Sequence, residues 1–450
     1  MHARTIASAV LLVVHASCAS DSTEQAEAVS GPPTYYQDML PLFAEHCLAC
    51  HREGGIAPLR LDQYAEAKQF AGAIEQATRE RRMPPWAITS DGQCGQFRDS
   101  LALSTDEIAR IAEWVRAGAQ DGTARELEAS PPPPALAYDA ELETPEFQPE
   151  AQGGELALHD EYRCFPLQLP AGPMQFITAY EVVPGTPELV HHVIVEIVNP
   201  ADTADDGSGR TNAEVMRALD AASPEREGWP CFSGAGPGVK LEASPVVWAP
   251  GQGIVRYPAG SGVALLPGRV LVAQFHYNLA GPDSQGLSDQ TKLRFALSSE
   301  VENVGFFALL DPLIESLDSD TPITLPAARA STTYSWQRTG AELGLDTQTT
   351  LQLQGIMPHM HELGRKYRLS HRARGEPAVC AADVQRWDFH WQRMYFLSES
   401  LPITLGSELS VSCEYDTSSV TTPVRPGWGT RNEMCSAIMY FTLPRAAFGL

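Results

Sequence analysis

Two groups of side chains on this 450-residue chain have the types and spacing of redox chemistry. The first is Cys47-Leu48-Ala49-Cys50-His51, a C-x-x-C-H run. Two thiols so spaced can form thioethers to a porphyrin, and the adjacent imidazole then becomes the proximal iron ligand. The second group is dispersed: His191-His192, His276, His359, His361 and Met434. Imidazoles joined by a soft thioether suit copper, and the sulfur favours Cu(I) over zinc or magnesium. The chain reads as a redox protein with haem c and two copper ions, carrying its own electron donor.

Each group needs elements to position it. Met39, Leu42 and Phe43 predict a helix over residues 38–45, and the Ala-, Glu- and Arg-rich stretch 63–82 predicts a second. Ser104-Thr105-Asp106-Glu107 is a capping box ahead of Ile108, Ile111, Trp114 and Val115, one face of a third helix. In Arg82-Met83-Pro84-Pro85-Trp86, Met83 is the expected sixth iron ligand and His46 its competitor. A thioether there raises the potential, so the iron would pass electrons and leave oxygen alone. This segment resembles a class I cytochrome c domain.

His359 and His361 lie two residues apart, so an extended strand points both to one face, where they can close on one metal. His191 and His192 are neighbours, which a regular strand points to opposite faces. Both reach one ion only where the strand begins or bulges, and Pro184-Gly185-Thr186-Pro187 upstream suits a strand start. His276, in Gln274-Phe275-His276-Tyr277-Asn278, could complete a three-histidine site.

A charged start, an apolar run from Ile6 to Val14 and small residues after it predict an export signal over 1–19. Cys18 is a candidate for lipidation, with ordinary cleavage after Ala19 the alternative. Residues 20–34 then read as a tether, 35–122 as the haem segment and 123–152 as a stiff linker around Pro131-Pro132-Pro133-Pro134. Beyond these, short alternating strands such as 193–197, 270–275 and 409–413, separated by Gly, Pro and Asp turns, predict two β-sandwiches, 153–312 and 313–450. The expected architecture is a small all-α domain followed by two all-β sandwiches.

With 43% hydrophobic residues the chain can bury real cores, and its net charge of -24 repels phosphate backbones, which argues against nucleic acid as a partner. No later segment is apolar enough to cross a bilayer, so a lipid on Cys18 is the expected route to a membrane. Disulfides and attached haem both suit an oxidising location, the periplasm or cell surface.

Taken in order, Val190-His191-His192-Val193, Gln274-Phe275-His276-Tyr277, His359-Met360-His361 with Gly364-Arg365-Lys366, and Glu433-Met434-Cys435 resemble the copper type II, ascorbate-dependent monooxygenases, the family of dopamine β-monooxygenase and peptidylglycine α-hydroxylating monooxygenase. Trp387-Asp388-Phe389-His390-Trp391-Gln392 and Cys413-Glu414-Tyr415-Asp416-Thr417 extend the likeness over roughly residues 155–445. The resemblance implies jelly-roll-like sandwiches. It places His191, His192 and His276 on an electron-storing copper, and His359, His361 and Met434 on the copper where oxygen meets the substrate C–H bond. It also implies disulfides Cys164–Cys231 and Cys413–Cys435. Cys94 and Cys380 remain over, and a bridge between haem segment and second sandwich is one option for them.

Hydroxylating a C–H bond with dioxygen consumes two electrons, and each copper supplies one, so something must re-reduce the pair. Here the tethered haem is the expected supplier, fed by an external donor. Where peptide-hydroxylating relatives hold a substrate carboxylate with Arg, Asn and Tyr, this chain has Met357, Ser436 and Ile438. That argues against a C-terminal glycine peptide and for a less polar substrate, a small molecule or another peptide. The alternative is a non-catalytic periplasmic protein that binds copper and transfers electrons.

Overall fold

The computed structural model describes residues 31–449 apart from 49, 54–56, 58, 86–87, 91–93, 99, 125–134, 153–158, 170–171, 233, 251, 280, 282–283, 318, 390, 428 and 430. Cys18 and the four-proline run lie outside the described residues. Among those described, no helix is long and apolar enough to cross a membrane.

The helical segment forms around one aromatic cluster. A π-helical turn, Tyr35–Met39, runs into the helix Leu40–His46, followed by Tyr64–Gln69, Ala71–Arg79 and Thr105–Arg116. The capping box is made as the sequence predicts: Glu107 N–H donates to Ser104 Oγ at 3.2 Å and the Glu107 carboxylate accepts from Ser104 N–H at 2.6 Å. Ile111 and Trp114 from that helix meet Tyr35, Phe43 and Ile74 in a shared core. The helix expected over 63–82 is two helices, because Phe70 leaves helical geometry at φ -103°, ψ 14°. The ladder still runs through Phe70, whose N–H bonds Glu66 O and whose carbonyl accepts from Ile74.

Most of the chain is β-structure. A nine-stranded sheet runs in the order Ala140–Glu143, Lys292–Ser298, Gln175–Val183, Ser261–Leu265, Asn303–Leu310, Ser436–Pro444, Leu351–His359, Tyr395–Ile403, with Val255–Arg256 paired to Gln175–Val183. The two sandwiches therefore share one sheet, joined where Asn303–Leu310 runs parallel to Ser261–Leu265 and antiparallel to Ser436–Pro444. A five-stranded sheet (Trp229–Pro230, Asp160–Leu167, Val270–Asn278, Val190–Val198, Ala243–Trp248) covers one part of it. A four-stranded sheet (Thr332–Thr339, Glu408–Tyr415, Gly364–Arg372, Val379–Val384) covers the other.

Burial follows the alternation. Val193, Val195 and Ile197 face Ile177, Val263 and Phe295 in the first core, while Tyr367, Leu369 and Val411 face Leu353, Ile356 and Phe441 in the second. The cores are not independent, since Met357, Met394, Phe396 and Tyr440 of the second half pack into the first. Tyr440 stacks on Tyr257 at 4.9 Å, its hydroxyl 3.2 Å from Ser261 Oγ. Gly305 is required beside it, because a Cβ there would collide with the Tyr440 ring.

Residues 88–90 and 94–98, expected within the haem segment, pack onto the second sandwich instead. Thr89 N–H donates to Asp383 O, Arg98 N–H to Phe396 O and Ser398 N–H to Gln96 O, each at 2.8 Å, while Ile88 and Phe97 join the second core. Disulfides Cys164–Cys231 and Cys413–Cys435 form, and Cys94–Cys380 closes the option left open by the sequence, bridging this stretch to the strand Val379–Val384. Replacing both Cys94 and Cys380 by Ser should lower stability in denaturant unfolding by about 2–4 kcal/mol and make 88–98 the first site of limited proteolysis. Unchanged protection of that stretch would mean its backbone bonds suffice.

Candidate metal centres

The first centre lies across three adjacent strands of the five-stranded sheet. Tyr162, His276 and His192 stand side by side, Tyr162 opposite His276 and His276 opposite His192. The register slips between Val190 and His192, leaving His191 as the extra residue of a bulge. That irregularity lets neighbouring histidines converge, as the sequence required. His192 Nδ1 lies 3.4 Å from His191 Nδ1 and 3.3 Å from His276 Nδ1. Metal–nitrogen bonds of about 2.0–2.1 Å at roughly tetrahedral angles place ligand nitrogens about 3.3 Å apart, so the residues fit a copper ion.

Two residues that sequence reasoning missed hold His276. Asp160 accepts its Nε2–H at 2.9 Å and the Asn278 amide at 2.8 Å, and the Tyr162 ring stacks on the imidazole at 4.2 Å. Burial works to raise the Asp160 carboxyl, but the His276 and Asn278 bonds outweigh it and hold the group below its ordinary value. With Nε2 occupied, the Nδ1 lone pair of His276 is left for metal. Burial, then the neighbouring imidazoles His276, His191, His359 and His361, pushes His192 well below 6.5, so it stays neutral.

The second centre forms where Leu351–His359 ends. His359 Nδ1–H donates to Gln392 Oε1 at 2.5 Å, and Gln392 is oriented by its own amide bond to Phe389 O at 2.8 Å. His361 Nδ1–H donates to Asn432 O at 2.9 Å. Both rings therefore offer Nε2, with centroids 5.1 Å apart. Burial lowers His359 and takes His361 to about 3. Met434, 2% exposed, lies beside them just before Ser436–Pro444, and Tyr415 Oη–H holds its carbonyl at 2.7 Å.

Glu433 organises this centre. Its carboxylate accepts from His361 N–H at 2.9 Å, Leu363 N–H at 2.8 Å and Met434 N–H at 3.3 Å, clamping the His-x-His turn to the methionine. Burial nevertheless pushes Glu433 up to about 8. Beneath it, Asp311 accepts from Cys435 N–H at 3.0 Å and Ser436 Oγ–H at 2.5 Å, so Ser436 is turned away from any substrate role. The sequence contained Glu433 and Gln392 within its motifs, but nothing local signalled what they clamp.

Both centres face one cavity of about 320 Å³. Phe389 stands between them, 5.5 Å from the His191 ring at 27° and 5.8 Å from the His361 ring at 83°. Met357 and Leu309 flank Ile438 across three paired strands and make an apolar wall. Glu196 lines the opposite side, and burial raises it to about 7.

In the helical segment, Cys47 and Cys50 are free thiols, half-buried, with Cys50 and His51 N–H both bonded to Cys47 O at 3.1 and 3.0 Å. His51 Nδ1–H donates to Leu59 O at 2.8 Å, which leaves Nε2 for iron. These three residues fit covalent haem. His46 is engaged at both nitrogens, by Leu101 O at 3.2 Å and Glu107 at 3.1 Å, and this sets it aside as a ligand. Met83 lies on a turn, 37% exposed, and is not part of the core against which Cys47 and Leu48 pack.

Residues 329–448 match the family model described as copper type II ascorbate-dependent monooxygenase, C-terminal domain. The chain is 26% identical over 263 residues to DBH-like monooxygenase protein 1 of Mus musculus, a match covering 57% of this chain and 40% of that protein. It is 26% identical over 277 residues to tyramine beta-hydroxylase of Caenorhabditis briggsae, covering 58% and 41%. The matches thus span about two fifths of these relatives' length. Among solved structures, the major capsid protein P2 of bacteriophage PM2 aligns over 68% of this chain and 98% of its own, at a TM-score of 0.26 and 10% identity, too distant to bear on function. The sequence relatives support a copper monooxygenase, with residues 329–448 similar to its C-terminal domain.

Two outcomes are expected. Asp160→Asn should weaken copper binding at the first centre by about 10–100-fold and leave the second intact, read by competition with a Cu(I) chelator. The pH response of the copper-free protein follows from opposing signs. His361, lowered from 6.5 to about 3, contributes stability complete above 6.5 and lost as pH falls toward 3. Glu196 and Glu433, raised from 4.5 to about 7 and about 8, contribute stability complete below 4.5 and lost as pH rises through those values. Between pH 4.5 and 6.5 the two glutamates outweigh the one histidine, so melting temperature should peak near 4.5 and fall on both sides, and Glu433→Gln should flatten the alkaline limb. A wild-type Tm rising steadily to pH 8.5 would contradict this reading.

Proposed function

We propose that this protein is an exported monooxygenase that hydroxylates a C–H bond of an organic substrate with dioxygen, drawing electrons from a c-type haem on the same chain. The observation that carries it is the pair of ligand sets, three imidazoles in one and two imidazoles with Met434 in the other, facing a single apolar cavity. When bound, copper at the second centre supplies oxygen chemistry, copper at the first stores an electron, and haem on Cys47, Cys50 and His51 replenishes both.

The chain's own residues do the positioning. His191, His192 and His276 would hold the first ion, and His359, His361 and Met434 the second. Asp160, Gln392 and the Asn432 carbonyl fix which ring nitrogen each ligand presents. Met357, Leu309 and Ile438 seat an apolar substrate, and Phe389 fills space that water would otherwise occupy between the centres. Met83, on an exposed bend, is the residue that would supply the second protein ligand to the iron. An external donor reduces the haem. The three disulfides fit an oxidising compartment, and a lipid on Cys18 would hold the protein at a membrane.

The deciding measurement is the copper-to-haem ratio of the exported protein after loading and removal of loose metal. Two coppers per haem are expected, falling to about one in His359→Ala. Met434→Ala should abolish oxygen-dependent product while leaving the haem spectrum unchanged. One copper or none in the wild type would replace this reading with copper binding or electron transfer without hydroxylation.

A further inference from the structure

Three side chains that hold the second centre belong to one connection, 385–394. It joins Val379–Val384, an outer strand of the four-stranded sheet, to Tyr395–Ile403, an outer strand of the nine-stranded one. Trp387 N–H donates to Arg365 O at 2.8 Å and its Nε1–H to His361 O at 3.1 Å. A Cβ on Gly364 would come within 2.7 Å of that indole, so the ring lies against the His-x-His turn itself. Phe389 packs on His361 and His191, and Gln392 takes the Nδ1–H of His359 while its amide returns to Phe389 O. One connection thus touches both imidazoles of the second centre.

Both ends of that connection are held by chain from the helical segment. Where it leaves the first strand, Ile88 bridges Val384 and Thr89 N–H donates to Asp383 O at 2.8 Å. Where it enters the second, Phe97 bridges Leu397 and Arg98 N–H donates to Phe396 O at 2.8 Å. Cys94, between these points in sequence, is bonded to Cys380. Outer strands present unpaired backbone groups, and this stretch covers some of them on both. It also buries Ile88 and Phe97, the latter ring 5.8 Å from Tyr395. Further on, Leu101 packs on the same core while its carbonyl lies 3.2 Å from His46 Nδ1, next to Cys47. Contacts therefore lead from the C-x-x-C-H segment to the ligands of the second centre.

We propose that Ile88, Thr89, Cys94, Phe97 and Arg98 are positioning residues for the second metal centre: they pin both ends of 385–394 and, through Trp387, Phe389 and Gln392, fix His359 and His361. Supports of this kind matter because a site held about 1 Å too loosely fails even when every ligand is present. The first centre draws its supports, Asp160, Asn278 and Tyr162, from the five-stranded sheet, and meets the connection through the Phe389 contact with His191. Loosening the brace therefore acts selectively on the second centre, whereas a stretch that only sealed sheet edges would affect the two alike. That the second centre binds copper rests on the monooxygenase reading; the bracing of 385–394 does not.

The test uses the full chain as wild type, as Cys94→Ser/Cys380→Ser, and as that pair with Arg98→Pro, which also removes the N–H bonded to Phe396 O. The serine pair leaves the backbone bonds in place and so keeps the fold available. In copper-free protein, hydrogen exchange of 385–394 should rise at least about tenfold in one or both variants, with 270–278 unchanged. Cu(I) affinity is read by competition with a chelator, the second centre isolated by His276→Ala and the first by His359→Ala. It should fall by about 10–100-fold at the second centre and stay within about threefold at the first. Exchange unchanged in both variants, second-centre affinity unchanged in both, or equal losses at the two centres, each overturns the proposal. A second centre that binds no copper with Cys94–Cys380 and Arg98 intact defeats the monooxygenase reading instead, and the exchange measurement still decides whether the brace exists.

Discussion

A ligand imidazole must be neutral and must present one bare nitrogen in a fixed direction, and much of this structure follows from that requirement. Burial secures neutrality at His192, His359 and His361. Direction comes from whichever nitrogen the protein occupies. In the first centre Asp160 takes Nε2 of His276, and the three Nδ1 atoms converge. In the second, Gln392 and the Asn432 carbonyl take Nδ1 of both rings, and Nε2 faces the cavity. His51 follows the second pattern through Leu59 O. At the two copper centres the acceptors lie 33 to 116 residues from their histidines, so the ligand geometry there is only as good as the fold that brings them together.

The shared nine-stranded sheet supplies that precision. Two sandwiches on a flexible joint would leave the centres free to move apart, whereas here hydrogen-bonded strands run from the first half into the second. The Tyr257–Tyr440 stack and the backbone approach that Gly305 permits lock the junction, and Met357 and Phe396 reach across it into the first core. The Cys413–Cys435 disulfide anchors the residue next to Met434, and Asp311 holds the same backbone from below. Rigidity of this kind lets Phe389 touch histidines of both centres at once.

Sequence periodicity exposed local requirements and left distant ones hidden. The adjacency of His191 and His192 demanded a strand start or bulge, and the bulge lies at His191. The Ser104 capping box and the Ile111–Trp114 face are local features of a helix and could be read directly. Asp160 could not be singled out, because its link to His276 depends on pairing 116 residues away. The same holds for the single sheet, and for Ile88 and Phe97, whose bridge partners are Val384 and Leu397. Cys94 and Cys380, 286 residues apart, offered no local reason to choose a bridge over free thiols. The interruption at Phe70 went unread because Ala-, Glu- and Arg-rich composition favours helix on either side of it.

Four buried carboxyls lie at or behind the two centres and their cavity, and the number of donors each receives separates them better than burial does. Asp311 accepts four hydrogen bonds, three from backbone N–H and one from Ser436, and Glu433 accepts three from backbone. Glu433 holds the backbone of His361 and Met434, while Asp311 caps the helix Pro312–Glu315 with one oxygen and holds Cys435 and Ser436 with the other. Asp160 accepts two side-chain donors and sets the tautomer of His276. Glu196 accepts one, from Ser244. A carboxylate offers about four lone-pair sites, so the first two are nearly saturated by the chain itself, while among the described residues Glu196 receives a single donor.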